Sequence, residues 1–290
     1  METLVELARW WACETWPMTP RPLLYATLDG YALEGGYDRA YEPATCFSAT
    51  IALGRHAGPG DALGLWRDYE RVLDLAQQLG LDGVCLSAQW ARIEPRQGRV
   101  DERALERYGE VVRYANDIGL GVTLALIDTC WPSWLGLEAW LLPWVVPNVI
   151  EHARRMATYF SPEHADLIIF ADPDRLVEDG YLNATLPPWR RGARADAARV
   201  RLQIDNILTQ LASDVLVGER LVRSSRCVEL TSGELFELDA VVDVERLYIR
   251  SLVRGVGPTA TSAGLISLHE GAWRASASPE VLEILKDNRH

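Results

Sequence analysis

Residues 65–127 read LWRDYERVLDLAQQLGLDGVCLSAQWARIEPRQGRVDERALERYGEVVRYANDIGLGVTLALI, and this stretch decides the fold. Leu65, Tyr69, Val72, Leu73, Ala76 and Leu79 recur at helical spacing, with Gly80 behind them as a stop signal. The short apolar run Gly83-Val84-Cys85-Leu86-Ser87 then suits a strand buried on both faces. Pro95 and Gly98 mark a loop. Asp101 can cap a second helix whose apolar stripe is Leu105, Tyr108, Val111, Val112 and Ala115, ending near Gly119. Residues 121–127 supply a second strand at once. Helix, strand, helix, strand at this spacing means βα units and a parallel sheet.

The same beat runs outward. Residues 148–160 read as a helix, 166–170 as a strand, 193–211 as a long arginine-rich helix and 226–230 as a strand. Residues 244–253 then read as a helix, 264–268 as a strand and 279–285 as a closing helix. About seven strands can be placed, and no linker interrupts residues 1–290. The expectation is one TIM-type (β/α)8-like barrel, a domain that typically needs about 250 residues. The stretch from Pro187 to Arg226 is too short for two full βα units, so the barrel should be abridged or irregular around strands 5 and 6.

Composition bounds the function. The 290 residues are 48% apolar and 24% charged, a soluble globular balance. A net charge of −12 opposes nucleic acid and anionic membranes, which attract the other sign. Five scattered cysteines argue for a reducing compartment, and the start METLVELARWW has no leader pattern, so a cytoplasmic location is expected. The five histidines are dispersed and no nucleotide-binding fingerprint occurs, so no metal and no cofactor is expected. The expected partner is a small molecule, with room for a homo-oligomer. The one compositional oddity is 11 tryptophans against 4 phenylalanines.

The motif S-A-Q-W-A-R-I-E-P-R-Q-G, with Trp90, Arg92, Pro95 and Gly98 at fixed spacing, resembles the end of the second barrel strand in the retaining β-glycosidases of glycoside hydrolase family 1. Tyr31-Ala32-Leu33-Glu34-Gly35, Pro132-Ser133-Trp134-Leu135, Phe170-Ala171-Asp172-Pro173 and Gly180-Tyr181 with Pro187-Pro188 resemble further family motifs in order. Residues 245–248 and 266–270 resemble the family's last helix and strand more faintly. The resemblance implies a barrel whose chemistry needs two carboxylates about 5 to 5.5 Å apart. It also implies that the pair has gone. Asp172 stands for the acid/base glutamate, and Thr231 for the nucleophile unless the register slips by two to Glu229. Ala32, Cys85 and Ala171 replace polar groups of the family's sugar site, as does either Leu126 or Asp128.

Barrel enzymes carry chemistry at the C-terminal ends of strands. The catalytic candidates there are Asp172, Asp128, Glu34, His269 and Glu270. A carboxyl in an apolar pocket has its charged form disfavoured, which suits general acid/base work. Each has a plainer alternative: Asp172 capping the turn at Pro173, Asp128 bonded to nearby backbone, Glu34 and His269 structural. Substrate-binding candidates are Trp90, Trp131, Trp134, Tyr31, Tyr181 and Trp273, with packing as their alternative. The expectation is a repurposed, pseudoglycosidase-like enzyme doing cyclisation, elimination or hydrolysis on a fairly apolar small molecule, in specialised metabolism. A glycosidase with a rebuilt carboxylate pair and a non-catalytic binding protein are the alternatives.

Overall fold

A computed structural model describes residues 23–37, 43–78, 81–214 and 216–217, with the backbone of two further strands at 225–229 and 246–250. Strands β1 (Leu23–Leu28), β2 (Gly83–Ser87), β3 (Gly121–Ile127), β4 (Asp166–Phe170), β5 (Ser225–Glu229) and β6 (Arg246–Arg250) form one sheet in the order β4-β3-β2-β1-β6-β5. Every pairing is parallel. Between them lie α1 (Gly30–Glu34), α2 (Ser48–Ala52), α3 (Tyr69–Gln78), α4 (Trp90–Ile93), α5 (Glu102–Asp117), α6 (Val145–Tyr159), α7 (Pro173–Val177) and α8 (Arg194–Ala212).

The period-2 alternation of the strands divides the core into two layers. Val84, Leu86, Val122, Leu124, Leu126, Leu167 and Ile169 face the helices, where they meet Val72, Leu73 and Ala76 of α3, Val111, Val112 and Ala115 of α5, and Met156 of α6. On the inner side Tyr25, Cys85, Ala125 and Ile168 form a separate cluster with Ala171 against it. At the lower end Tyr25 is in register with Gly83, which is in register with Gly121. The Tyr25 ring fills the space that a Cβ on either glycine would need. Both strands open on glycine because that ring lies across them.

From the helix after β1 to β4 the elements match the expected ones closely, including the Asp101 cap, whose carboxylate accepts from the N–H of Arg103 at 3.0 Å and Ala104 at 3.4 Å, whereas β1 was not among the strands placed from the sequence. The later part needs a correction. Residues 246–250, expected inside a helix, form β6, paired in register with β1 from Leu23↔Arg246 to Thr27↔Arg250. Leu247-Tyr248-Ile249 is a run of residues that suit a pleated surface, and pairing with the open edge of β1 overrides the helical pattern around it. β5 pairs with β6 and so stands two places from β1, on the side away from β2.

An eight-stranded barrel has four further strands between its fourth and its first. Here α8 ends at Ala212 and β5 starts at Ser225, which leaves no length for two further βα units. The molecule is an α/β barrel truncated where its fifth and sixth strands would stand. The strand expected at 264–268, the helix at 279–285, and His269, Glu270, Trp273 and Thr231 lie outside the described residues. Among the described residues no helix is long and apolar enough to cross a membrane.

Candidate active site at the barrel mouth

Two buried carboxylate centres sit above the C-terminal ends of β1 to β3. The first is Glu34, at the end of α1. Its carboxylate accepts from Arg92 Nε at 2.7 Å, from the Tyr108 hydroxyl at 2.6 Å and from the Tyr37 hydroxyl at 2.5 Å. The Arg92 guanidinium also donates to the Gly35 carbonyl at 2.8 Å and is sandwiched 4.2 Å from the ring centres of Tyr37 and Trp66. Burial raises the Glu34 carboxyl, and the Arg92 charge and the tyrosine hydroxyls pull it back. Tyr108 in turn accepts from the backbone N–H of Gln89 at 2.9 Å, so the hub fixes the start of α4.

The second centre is Asp128, the residue after β3. It is 5% exposed. Oδ1 accepts from the N–H of Cys130 at 2.7 Å, and Oδ2 accepts from the side-chain amide of Gln89. Among the described residues no cation is bonded to it. Burial pushes the Asp128 carboxyl well above the usual range; the Asp29 carboxylate adds to the rise, and the Cys130 and Gln89 donors oppose it. Among the described residues, Gln89 Oε1 and the hydroxyl of Ser87, at the end of β2, are buried without a hydrogen-bond partner. Asp29 caps α1 through the N–H of Ala32 at 3.2 Å and lies 4.0 Å from Arg175. A carboxyl such as Asp128, whose charged form burial disfavours, holds its proton to a higher pH than an exposed one and can give it to a substrate atom and take it back.

The structure brings Asp128 together with Asp29 and Gln89, neither of which was singled out from sequence. Asp29 is recognisable as the residue directly after β1, at a barrel position where chemistry is expected. Gln89 carries no comparable signal inside the Trp90 motif. Asp172 follows β4 and accepts from the N–H of Arg175 at 2.9 Å, capping α7 ahead of Pro173. Glu34 is committed to Arg92. Trp90 and Trp131, expected to line the mouth, are instead core residues at 2% and 1% exposure. The Trp90 indole donates to Glu94 at 3.0 Å and stacks on His152 at 4.7 Å; Trp131 donates to the Gly136 carbonyl at 2.9 Å. Trp134, half-buried, donates to the Glu94 carbonyl at 2.8 Å. Tyr31 stacks on Phe47 at 4.4 Å, and Tyr181 is fully buried in the π-helical turn Glu178–Leu182. Among the described residues no group of three or more His, Cys, Asp or Glu side chains is placed to hold a metal ion.

No protein-family model matches the chain. Beta-glucosidase 47 of Arabidopsis thaliana is 28% identical over 182 residues, 59% of this chain and 34% of that protein. A chloroplastic beta-glucosidase-like SFR2 of Oryza sativa subsp. japonica is 26% identical over 136 residues, 44% of this chain and 21% of that protein. The fold matches a beta-glycosidase from Pyrococcus horikoshii with a TM-score of 0.62 at 17% identity, over 74% of this chain and 49% of that one. It matches an aphid myrosinase with a TM-score of 0.63 at 14% identity, over 75% and 50%. The chain thus spans about half the length of these solved structures and about a third or less of the curated relatives. The class defined by sheet and helices is a truncated α/β barrel. More particularly, the fold is that of glycoside hydrolase family 1, the β-glucosidase-like barrel.

Proposed function

We propose that this barrel has been repurposed from glycoside hydrolysis to acid/base chemistry, a cyclisation, elimination or hydrolysis, on a fairly apolar small molecule of specialised metabolism. Asp128 is the proton-carrying group, with Asp29 modulating it and Gln89 orienting it. The observation that carries the reading is a buried carboxyl at the end of β3 that is hydrogen-bonded yet, among the described residues, unpaired with any cation, near two polar atoms that those residues leave unpartnered. The inner cluster of Tyr25, Cys85, Ala125 and Ile168 supports an apolar ligand. Asp172, the residue at the family's acid/base position, caps a helix.

The test uses ring opening of 5-nitrobenzisoxazole, which needs only a base in a pocket. The chain should accelerate it with a rate that rises as Asp128 ionises, at a pH above the ordinary carboxylate range. Asp128→Asn should abolish the acceleration, by about 100-fold or more, and Asp172→Asn should keep it. Release of nitrophenol from an aryl β-glucoside, lost in Asp172→Asn, would instead establish a glycosidase with a rebuilt carboxylate pair.

A further inference from the structure

Cys46 and Cys130 lie on two segments, 44–46 and 130–133, that run antiparallel beside the mouth. The bridge Thr45↔Pro132 ties them, with the Cys46 N–H donating to the Trp131 carbonyl at 2.9 Å and the Ser133 N–H to the Ala44 carbonyl at 3.0 Å. Residues opposed in such a bridge have Cα atoms about 4.5 to 5.5 Å apart, and Cys130 is one step along from the residue opposite Cys46. The Cys46 thiol donates to the Thr129 carbonyl at 3.9 Å, which sets its sulfur against the peptide that joins Thr129 to Cys130. Both are buried, at 5% and 3% exposure, and both are reduced. Cys85 belongs to the separate inner cluster.

We propose that Cys46 and Cys130 form an oxidation site that hydrogen peroxide converts into an intramolecular disulfide. One thiol attacks peroxide, the O–O bond breaks, and a sulfenic acid and one water form. The sulfur of the second thiol then attacks that sulfenic sulfur; the S–S bond forms, the S–O bond breaks, and a second water leaves with the remaining thiol proton. Two thiols and one peroxide give one disulfide and two waters, sulfur being oxidised and peroxide oxygen reduced. The thiolate is the attacking form and burial pushes the Cys130 thiol up, so the step is slow at pH 7 and speeds up toward pH 8.5. The bond would also tug on the loop whose Cys130 N–H holds Asp128.

The full chain is treated with hydrogen peroxide at pH 8.5, its free thiols are blocked with N-ethylmaleimide, and it is digested without reductant for mass spectrometry. The expected product is a peptide pair joined through Cys46 and Cys130, two hydrogens lighter than the reduced pair, with two fewer blocked thiols. Dithiothreitol should reverse it. Cys46→Ser and Cys130→Ser should each remove the joined pair while circular dichroism stays that of the wild type. A folded wild-type chain that yields no such pair, or that links either cysteine to a different one, overturns the proposal.

Discussion

The Glu34 hub and the Asp128 pocket occupy neighbouring ground and are both almost fully buried, yet they are built on opposite terms. Glu34 has a guanidinium, two tyrosine hydroxyls and an aromatic sandwich around its counter-charge. Asp128 has one backbone N–H, one amide and the repulsion of Asp29. A charge that is fully compensated holds a structure together, whereas one that is only half compensated keeps a proton available. The two centres communicate through a single residue, since Gln89 is held by Tyr108 through its backbone and holds Asp128 through its side chain.

The sharpest way to break this contrast is to neutralise each carboxylate. Glu34→Gln strands the buried Arg92 charge and should cost about 3 to 5 kcal/mol of unfolding free energy, read by urea denaturation. Asp128→Asn should cost little, because the Gln89 amide can flip to keep its hydrogen bond. An unfolded aspartate ionises near pH 4 and the native Asp128 well above that, so its contribution is full below pH 4 and drains as pH rises through the native value. The asparagine variant should lack that decline and should match or exceed the wild type at pH 8. Equal losses in both variants would erase the distinction.

His152 extends the comparison to a buried base. Its ring is fully buried against Trp90, has no well-formed hydrogen bond, and is lowered to about 3 by burial first and the Arg155 charge second. The unfolded histidine takes a proton near pH 6.5 and the native one only near 3. Its stabilising contribution is therefore complete above pH 6.5 and falls by about 1.4 kcal/mol per unit as the medium is acidified across that window. His152→Phe should flatten this slope in acid-unfolding curves. The smallest effect is expected at Asp172. Replacement by alanine removes the α7 cap and should cost about 1 kcal/mol, while Asp172→Asn keeps the cap and should change thermal stability by only a few tenths.

The units from β2 to β4 were legible in the sequence because each is local, whereas Leu23–Leu28 was not read as a strand. Gly83 to Ser87 and residues 121–127 are short apolar runs between capped helices, and nothing distant alters their reading. Arg246–Arg250 was misread because its partner is β1, more than two hundred residues away, and local spacing carries no trace of that pairing. At the mouth, Asp128 was legible by its place after a strand. The tryptophans carry an ambiguous signal, because an indole needs only apolar surroundings and one acceptor, which the core at Glu94 and Gly136 supplies as well as a ligand would. Asp29 and Gln89 act through neighbours brought in by the fold.

The ring of Tyr25, lying where Gly83 and Gly121 have no side chains, ties the bottom edges of three neighbouring strands to one side chain. A methyl group on either glycine and that ring cannot share the same space, so the three positions can change only as a set.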